Sequence, residues 1–513
     1  MDEVPRWFAS DNNATVHPAV MEAITKANEG HAVGYGADPL TARAEAAVAA
    51  LFGGGARNTG DAVVRFALNG TGANVYALGC LAGRGQAVLC SEHAHILVDE
   101  TGAGPAALGV QLVPLPAPDG RVRPADVERA HALYSDMHKP APVVLSLSQP
   151  TELGTVYRVE EMAALVDLAH RLGMAVHVDG ARLSNAAVAL GVDPGNASAF
   201  AVVNAARAEN SGADIVCFGG TKNGLMFGEA VIIAKHGRAA AADADRLRKT
   251  SLQLASKMRF IAAQFEAYVG GGLWRSNAEK ANAMARRLAD GVRRLGVPLA
   301  WPVDTNALFA RVPESVAEVL RERRFFYDWE GGLVRWMASW DTTESDIDSF
   351  LADLGQELAA YRASLPACVA VIRRAVPNDA AAVAALVRDA LGYRDADEAT
   401  TRAGIESALE SDDQDLLVAV VDGGVAGFAH AQEYRPVWTT PYHNVLGVAT
   451  SPRGRGIGST LMAELERLAA ARGLAGVRLN SRVEREEAHE FYESRGYARD
   501  KTQYRFLKTF GKS

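Results

Sequence analysis

The sequence predicts an α/β chain made of two successive α/β domains, and three observations carry that reading. Alanine-rich helical patterns alternate with short Val/Ile/Leu runs along the whole chain. A helical pattern from Ser345 to Ala363 stops at Leu365-Pro366, and a fresh strand pattern, Val369-Ala370-Val371-Ile372-Arg373, begins beyond the proline. Each side of that stop has its own glycine-rich turn leading from a strand pattern into a helix pattern. The expected domains are 1–365 and 369–513, and 513 residues are enough for them.

The composition narrows the function classes. Hydrophobic residues make up 49% and charged residues 22%, an ordinary globular balance able to bury a large core. The formal charge of −8 argues against nucleic-acid binding driven by phosphate neutralisation. Met1-Asp2-Glu3-Val4-Pro5 is acidic and no apolar stretch follows, so no secretory signal is expected, and no run reaches transmembrane length. Cys80, Cys90, Cys217 and Cys368 are scattered without paired metal spacing. No metal centre is expected, and such thiols suit a reducing cytoplasm.

Within the first domain, Asn69-Gly70-Thr71-Gly72-Ala73-Asn74 leads into an apolar helical run from Val75 to Leu81. Small residues at a helix start leave amides free to cradle a phosphate, here at Gly70, Thr71 and Gly72. Next, the strand pattern Ala175-Val176-His177-Val178 ends in Asp179-Gly180-Ala181-Arg182. That places a carboxylate and a guanidinium at a strand's C-terminal end, where ligands collect in open α/β sheets. Then Asp214-Ile215-Val216-Cys217 runs into Phe218-Gly219-Gly220-Thr221-Lys222-Asn223-Gly224, and a further apolar run follows at Ala230 to Ala234. Alone, Lys222 reads as a solvated loop lysine; beside the other two signals it reads as a Schiff-base amine. An anion cradle, a strand-end carboxylate and a turn lysine are what pyridoxal phosphate requires.

These pieces, with Phe8-Ala9-Ser10-Asp11-Asn12, Tyr35-Gly36-Ala37-Asp38-Pro39, Ala94-His95-Ile96 with Glu100, and Ser148-Gln149-Pro150-Thr151-Glu152-Leu153-Gly154-Thr155, occur in one order over residues 1 to about 360. Together they resemble the threonine aldolase group of fold-type I pyridoxal-phosphate enzymes, within the wider β-eliminating lyase family. The resemblance implies Lys222 as the imine lysine, Asp179 as partner of the pyridinium nitrogen, and His95 as the ring-stacking imidazole and a candidate base. It also implies Arg335, in Gly332-Leu333-Val334-Arg335-Trp336, as the grip on the substrate carboxylate, with Arg182 a second candidate and Ser10 assisting. An amino acid substrate and a homodimer or homotetramer through this domain follow from the same resemblance.

The chain departs from the family in places. Ala9 stands where many threonine aldolases have arginine, and Thr151-Glu152 stands where some have a second histidine. The identity of the base is therefore open. So is the choice between aldol cleavage and a β-eliminating lyase or racemase, which would labilise the Cα proton instead.

The second domain carries its own signal. After Val445-Leu446-Gly447-Val448-Ala449 comes Arg453-Gly454-Arg455-Gly456-Ile457-Gly458-Ser459, then a helical pattern with Leu461, Met462, Leu465 and Leu468 on one face. A glycine-rich turn between a strand and a helix can wrap a pyrophosphate at the positive end of the helix dipole. With Val477-Arg478-Leu479-Asn480 and Ala488-His489-Glu490-Phe491-Tyr492-Glu493 downstream, this region resembles the GCN5-related N-acetyltransferase (GNAT) superfamily. The resemblance implies acetyl-CoA on Arg453, Gly454, Arg455, Gly456, Gly458 and Ser459 beside the Val448 backbone, and Tyr492 as general acid to the leaving thiolate. Arg485 stands where many members have asparagine. Glu433, His443 and Glu487 are open candidates for an acceptor base, and a non-catalytic acetyl-CoA sensor is the competing reading.

Overall fold

Runs of small and branched apolar residues become a seven-stranded sheet in the first of two units, residues 1–355 and 356–513. The computed structural model describes residues 6–52, 62–198, 212–234, 243–364, 370–438, 440–453, 455–482 and 485–500. The strands are β1 (Ala62–Ala67), β2 (Ala87–Ser91), β3 (Gln111–Leu115), β4 (Pro142–Ser148), β5 (Ala175–Gly180), β6 (Ile215–Gly219) and β7 (Glu229–Ala234), in the order β1-β7-β6-β5-β4-β2-β3. β2 to β6 run parallel, and β7 is antiparallel to both β6 and β1. β2, β5, β6 and β7 are buried at every position, which is why they read as near-continuous apolar runs.

Successive residues of a strand point to opposite faces, and both faces here are covered. Val216 and Phe218 of β6 join the cluster that takes in Met162, Leu165, Leu183, Ile261 and Phe265 from helices on one side. Ile215 and Cys217 join Ala73, Tyr76 and Ala77 of the helix Gly70–Leu81 on the other. The helix Leu273–Arg294 buries Trp274, Ala278, Ala281, Ala285, Leu288 and Val292, a stripe at helical spacing, and leaves its arginines outside. It is tied to the helix Leu183–Leu190 by a reciprocal pair: Asn185 Nδ2 donates to Asn282 Oδ1 at 3.0 Å, and Asn282 Nδ2 donates to the Asn185 carbonyl at 2.9 Å.

A smaller antiparallel sheet, β8 (Ala307–Ala310), β9 (Tyr327–Trp329) and β10 (Leu333–Met337), has the order β8-β10-β9. The N-terminal stretch lies along it: the Met337 N–H donates to the Phe8 carbonyl at 2.8 Å, and the Phe8 N–H donates to Phe325 at 3.2 Å. Phe8 and Trp336 both pack against Phe350, one tilted and one edge-on, with centroids 4.8 and 5.0 Å from it. This packing carries Ser10 and Asp11 toward the C-terminal edge of the large sheet.

The expected elements form, with shifted ends. The helix expected from Val75 already starts at Gly70, because the Asn69 side chain caps it by accepting from the Gly72 N–H. The helix expected over 345–363 spans Glu344–Ser364, and the strand after it spans Val371–Arg374. The proposed junction, 365–369, lies outside the described residues. The division between units falls earlier, inside that helix, whose first turns bury Ile347, Phe350 and Leu354. We propose that each unit is nonetheless an independent domain, since each has its own sheet and core. Cutting the chain near Pro366 is expected to yield two soluble, folded fragments, checked by circular dichroism and gel filtration. Insolubility of both would mean that they share a core.

The second unit is a five-stranded sheet, β11 (Val371–Arg374), β12 (Gln414–Val421), β13 (Gly424–Tyr434), β14 (Tyr442–Thr450) and β15 (Val477–Leu479), in sequence order. The first four strands are antiparallel, and β14 pairs with β15 in parallel. Alternation decides the two faces of β12. Leu417 and Ala419 pack against Ile457, Leu461, Met462 and Leu465 of the helix Ile457–Ala471, while Val418 packs against Ala380, Val383, Leu386 and Ile405.

Candidate active site

In the first unit β4, β5 and β6 end side by side: Ser148 is opposite Asp179, and Gly180 is opposite Phe218. The turn Thr221–Asn223, a single 3₁₀ turn, follows β6 directly. Gly224 closes it at φ +103°, a conformation that other residues adopt only with strain. The turn is held from beneath. Gly220 N–H donates to Glu229 Oε2 at 3.0 Å, and Asn223 Nδ2 donates to Tyr268 Oη at 2.8 Å and to the Trp274 carbonyl at 2.9 Å. Burial pushes the Glu229 carboxyl up to about 7, against the bonds from Thr221 and Gly220. The Lys222 ammonium faces Asp11, Asp179, Glu152 and Glu229, whose carboxyls it favours in the ionised form.

Asp179 accepts from Asn74 Nδ2 at 2.9 Å and from the Ala181 N–H at 3.1 Å. The same Asn74 nitrogen donates to Glu100 Oε1 at 2.9 Å, and that oxygen lies 2.9 Å from His95 Nδ1. A chain of polar contacts thus links the half-exposed His95 ring to the buried Asp179. Glu100 raises the His95 pKa by this bond, against burial. Burial by itself would raise the Asp179 carboxyl, but His177, His95, Lys222 and the Asn74 bond outweigh it and hold it below the usual range. Burial lowers the pKa of His177 itself, whose Nδ1 is 2.9 Å from Ser146 Oγ.

The structure separates the two arginines. Arg182 is committed to Asp11, Nε to Oδ2 at 2.6 Å and Nη2 to Oδ1 at 3.0 Å, and Asn306 Nδ2 donates to the same carboxyl at 3.1 Å. Two of its nitrogens, Nε and Nη2, are thus taken by Asp11, which leaves Nη1 as its donor without a hydrogen bond among the described residues. Arg335 instead gives Nη2 to the Ala9 carbonyl at 3.1 Å, and its buried Nε has no partner among the described residues. Its guanidinium lies over the rings of Tyr327 and Trp329, 5.3 and 5.2 Å from their centroids. Burial, then Arg182 nearby, lower its pKa. Ser10 accepts from the Asn12 N–H at 3.2 Å, which leaves its own hydroxyl proton for another acceptor.

Of the three amides expected to form the anion cradle, Gly72 is already used: its N–H donates to Asn69 Oδ1 at 2.8 Å. Its missing side chain serves packing instead, since a Cβ there would fall 2.1 Å from Gln253 Nε2. The Gly70 and Thr71 amides, in the same first turn at the positive end of the helix dipole, have no partner among the described residues.

In the second unit β14 pairs with β15 only over His443–Val445. A bulge follows, with His430 opposite Gly447 and Ala431 opposite Val445. Beyond it Gly447 to Thr450, including Val448, have β13 on one side and no strand on the other among the described residues. The helix Ile457–Ala471 starts from Gly456 at φ +77° beside Arg455, Gly458 and Ser459. Arg453 is exposed and pairs with Glu487 at 3.3 Å, and Gly454 lies outside the described residues. Tyr492 packs between Phe491 and Tyr497, and burial raises its pKa, so it stays protonated at neutral pH. Arg485 donates to the Ala390 carbonyl at 2.9 Å. His443 is fully buried with Nε2 3.1 Å from Asp415, and Glu433 pairs with Arg435, so neither meets a substrate freely.

A family model described as beta-eliminating lyase matches residues 8–315. The chain belongs to the beta-eliminating lyase family. A second model, the acetyltransferase (GNAT) family, matches residues 381–497, so this lyase carries a GNAT domain after its first unit. A low specificity L-threonine aldolase of Pseudomonas sp. is 38% identical over 364 residues, 70% of this chain and 100% of the relative. One from Pseudomonas aeruginosa is 39% identical, over 69% of this chain and 98% of its own. Among solved structures, a threonine aldolase of Leishmania major aligns with a TM-score of 0.62 and 28% identity, covering 69% of this chain and 100% of the other. The first unit has the fold of fold-type I pyridoxal-phosphate enzymes.

The residues of this lyase fit pyridoxal phosphate. The two unpartnered amides at Gly70 and Thr71 suit a phosphate, the carboxylate of Asp179 suits a protonated ring nitrogen, His95 offers a ring face, and Lys222 offers the amine. Arg335, with its orphaned Nε, suits a carboxylate. Sequence reasoning did not single out Asn74 or Asp11, although both lie within the motifs that carry the resemblance. Their partners, Asp179 and Arg182, are 105 and 171 residues away. Among the described residues no helix is long and apolar enough to cross a membrane, and no group is placed to hold a metal ion.

Proposed function

We propose that the first domain interconverts a threonine-type β-hydroxy-α-amino acid with glycine and an aldehyde, using pyridoxal phosphate. We propose equally that the second transfers acetyl from acetyl-CoA to an amine. One observation carries the first reading. Lys222 and Asp179 stand together at the C-terminal edge of the large sheet, and Arg335, with an unpartnered Nε, lies near Arg182 and Asp11 of the same site, in a chain whose relatives are named threonine aldolases. When bound, pyridoxal phosphate supplies an electron sink for the pair released as a bond to Cα breaks. The chain's own residues do the rest. Gly70 and Thr71 amides would hold the phosphate at a helix start, the Asp179 carboxylate would keep the ring nitrogen protonated, Arg335 would orient the substrate by its carboxylate, and Glu100 fixes the His95 ring.

The test is product analysis on the purified chain given L-threonine and longer β-hydroxy amino acids. Glycine and the matching aldehyde support the reading. Racemised substrate, or loss of a β-substituent with no glycine formed, overturns it.

In the second domain Tyr492 would protonate the departing thiolate, and the open β14 edge beside the turn at Arg455 and Gly456 would take the coenzyme. Tyr492→Phe is expected to slow acetyl transfer by about 100-fold or more while acetyl-CoA affinity changes by roughly threefold at most. Equal loss of both, read by initial rates and calorimetry, would indicate a packing role.

We also propose that the acetyl acceptor is the amine of an amino acid handled by the first domain. Aldol cleavage is readily reversible, whereas acetyl transfer from a thioester to an amine runs downhill and yields an amide that the Lys222 site cannot engage. Joining both sites in one chain raises the effective concentration of the amine at the second. Glycine, a panel of aldehydes and acetyl-CoA should give an N-acetyl-β-hydroxy amino acid. Acetylation of unrelated amines alone would end this proposal.

A further inference from the structure

Glu152 stands in the turn after β4, and the backbone around it is fixed without help from its side chain. The Thr151 N–H donates to the Thr155 carbonyl at 2.8 Å, the Gly154 N–H donates to Thr151 at 2.9 Å, and Thr305 Oγ1 donates to the Gly154 carbonyl at 3.0 Å. The two threonine hydroxyls, 151 and 155, lie 2.7 Å apart. The Glu152 side chain is partly exposed, and burial still weighs on its carboxyl. The charged groups facing it are Lys222, Arg182, Arg335, Asp179 and His95.

What sets Glu152 apart is what the other carboxyls of the site are already doing. Asp11 is filled by Arg182 and Asn306, and Asp179 by Asn74 and the Ala181 amide. Glu100 is shared by His95 and Asn74, and Glu229 is bound to the Gly220 amide under the Lys222 turn. Glu152 has no hydrogen-bond partner among the described residues. Its oxygens are the acceptors left over, in a turn that the Gln149 N–H, donating to the Asp179 carbonyl at 2.9 Å, holds at the same sheet edge as Asp179 and the Lys222 turn. His95 is disfavoured for the same work, since its Nδ1 is held by Glu100 and the contact favours its cationic form.

Building on the aldol reading of this domain, we propose that Glu152 takes the proton of the substrate's β-hydroxyl during cleavage and returns it during synthesis. As the Cα–Cβ bond opens, its electron pair stays with the Cα fragment. The O–H bond breaks, its pair becomes the second bond of the aldehyde carbonyl, and the proton goes to a Glu152 oxygen. The Cα fragment takes up one proton to become glycine, and Glu152 loses the one it gained, so the balance closes. Burial raises the carboxyl above the ordinary glutamate range, while Lys222 and Arg182 oppose that rise. A base placed nearer neutrality accepts an alcohol proton more readily.

The experiment uses the full chain with its cofactor and compares wild type, Glu152→Gln and Glu152→Asp. Glu152→Gln should keep the visible cofactor absorbance and lower cleavage by roughly 10²- to 10⁴-fold. It should lower exchange of the glycine Cα proton with deuterated water far less, because that reaction involves no β-hydroxyl. Cleavage by wild type should rise with pH through the Glu152 pKa, and this acid limb should vanish in Glu152→Gln. Glu152→Asp, which keeps the charge but shortens the reach, should restore part of the rate. Carbon-13 labelling of glutamate side chains gives a readout independent of turnover: one carboxyl signal, absent from Glu152→Gln, should titrate above the ordinary range. Cleavage within tenfold of wild type, cleavage and exchange falling in step, or a signal titrating in the ordinary range would each overturn the assignment. If wild type cleaves none of the β-hydroxy amino acids, the aldol reading falls and Glu152 with it. If wild type cleaves and Glu152→Gln matches it, only Glu152 falls.

Discussion

Lys222→Ala is expected to abolish the visible cofactor absorbance and reduce turnover of amino acid substrates to background, while the protein stays folded. The turn that presents Lys222 is built from other groups: Glu229 on the Gly220 amide, Tyr268 and Trp274 on Asn223, Asn277 Nδ2 on the Asn223 carbonyl at 2.9 Å, and Gly224 in the left-handed region. None of them uses the lysine amine, so its removal takes away the proposed nucleophile and leaves the loop. One structural effect should accompany it. Asp11, Asp179, Glu152 and Glu229 all lose a stabilising positive charge, so their carboxyls should titrate higher than in wild type. Absorbance, circular dichroism and initial rates check the expectation together. A persisting visible band would show that a different amine is used.

Asp179→Asn is the second large effect. The carboxyl lies at the end of β5, and both its oxygens are engaged, one by Asn74 and one by the Ala181 amide. An amide of nearly the same shape can keep the Ala181 bond, so the fold and phosphate-mediated cofactor binding should survive. Its nitrogen, however, would turn a donor toward the Asn74 donor, and the negative charge that we propose partners the ring nitrogen would be gone. The expected loss in kcat is roughly 10²- to 10³-fold, the size seen when one preorganised electrostatic partner is removed, with a much smaller change in KM. Near-normal turnover would show that the ring partner lies elsewhere. The effect should spread to His95, because the Asn74 nitrogen that bonds Asp179 also bonds Glu100.

Much of the site's frame is legible in the amino-acid sequence. The run from Asp214 through Gly224, the strand ending at Asp179 and the small residues from Asn69 to Asn74 all depend on local rules. Apolar runs of strand length, a glycine where φ must be positive and an asparagine at a helix start act over a few residues, so the chain itself displays them. The alternation that splits Leu417 and Ala419 from Val418 between two faces is of the same kind.

Which groups stay available for chemistry was decided by tertiary structure. Arg182 and Arg335 look alike in the sequence, but folding brings Asp11 onto one across 171 residues and leaves the other over two aromatic rings with a nitrogen unpaired among the described residues. Gly72 reads as part of an anion cradle until the Asn69 side chain is seen to occupy its amide. His443 reads as a candidate base until it is found fully buried against Asp415. Glu152 is the reverse case, an ordinary turn glutamate made chemically distinct by Lys222, Arg182 and His95 from three other segments. The physical reason is the same throughout: hydrogen-bond partners and electrostatic surroundings are set by contacts between distant segments, and a side chain's availability depends on what those contacts have already used.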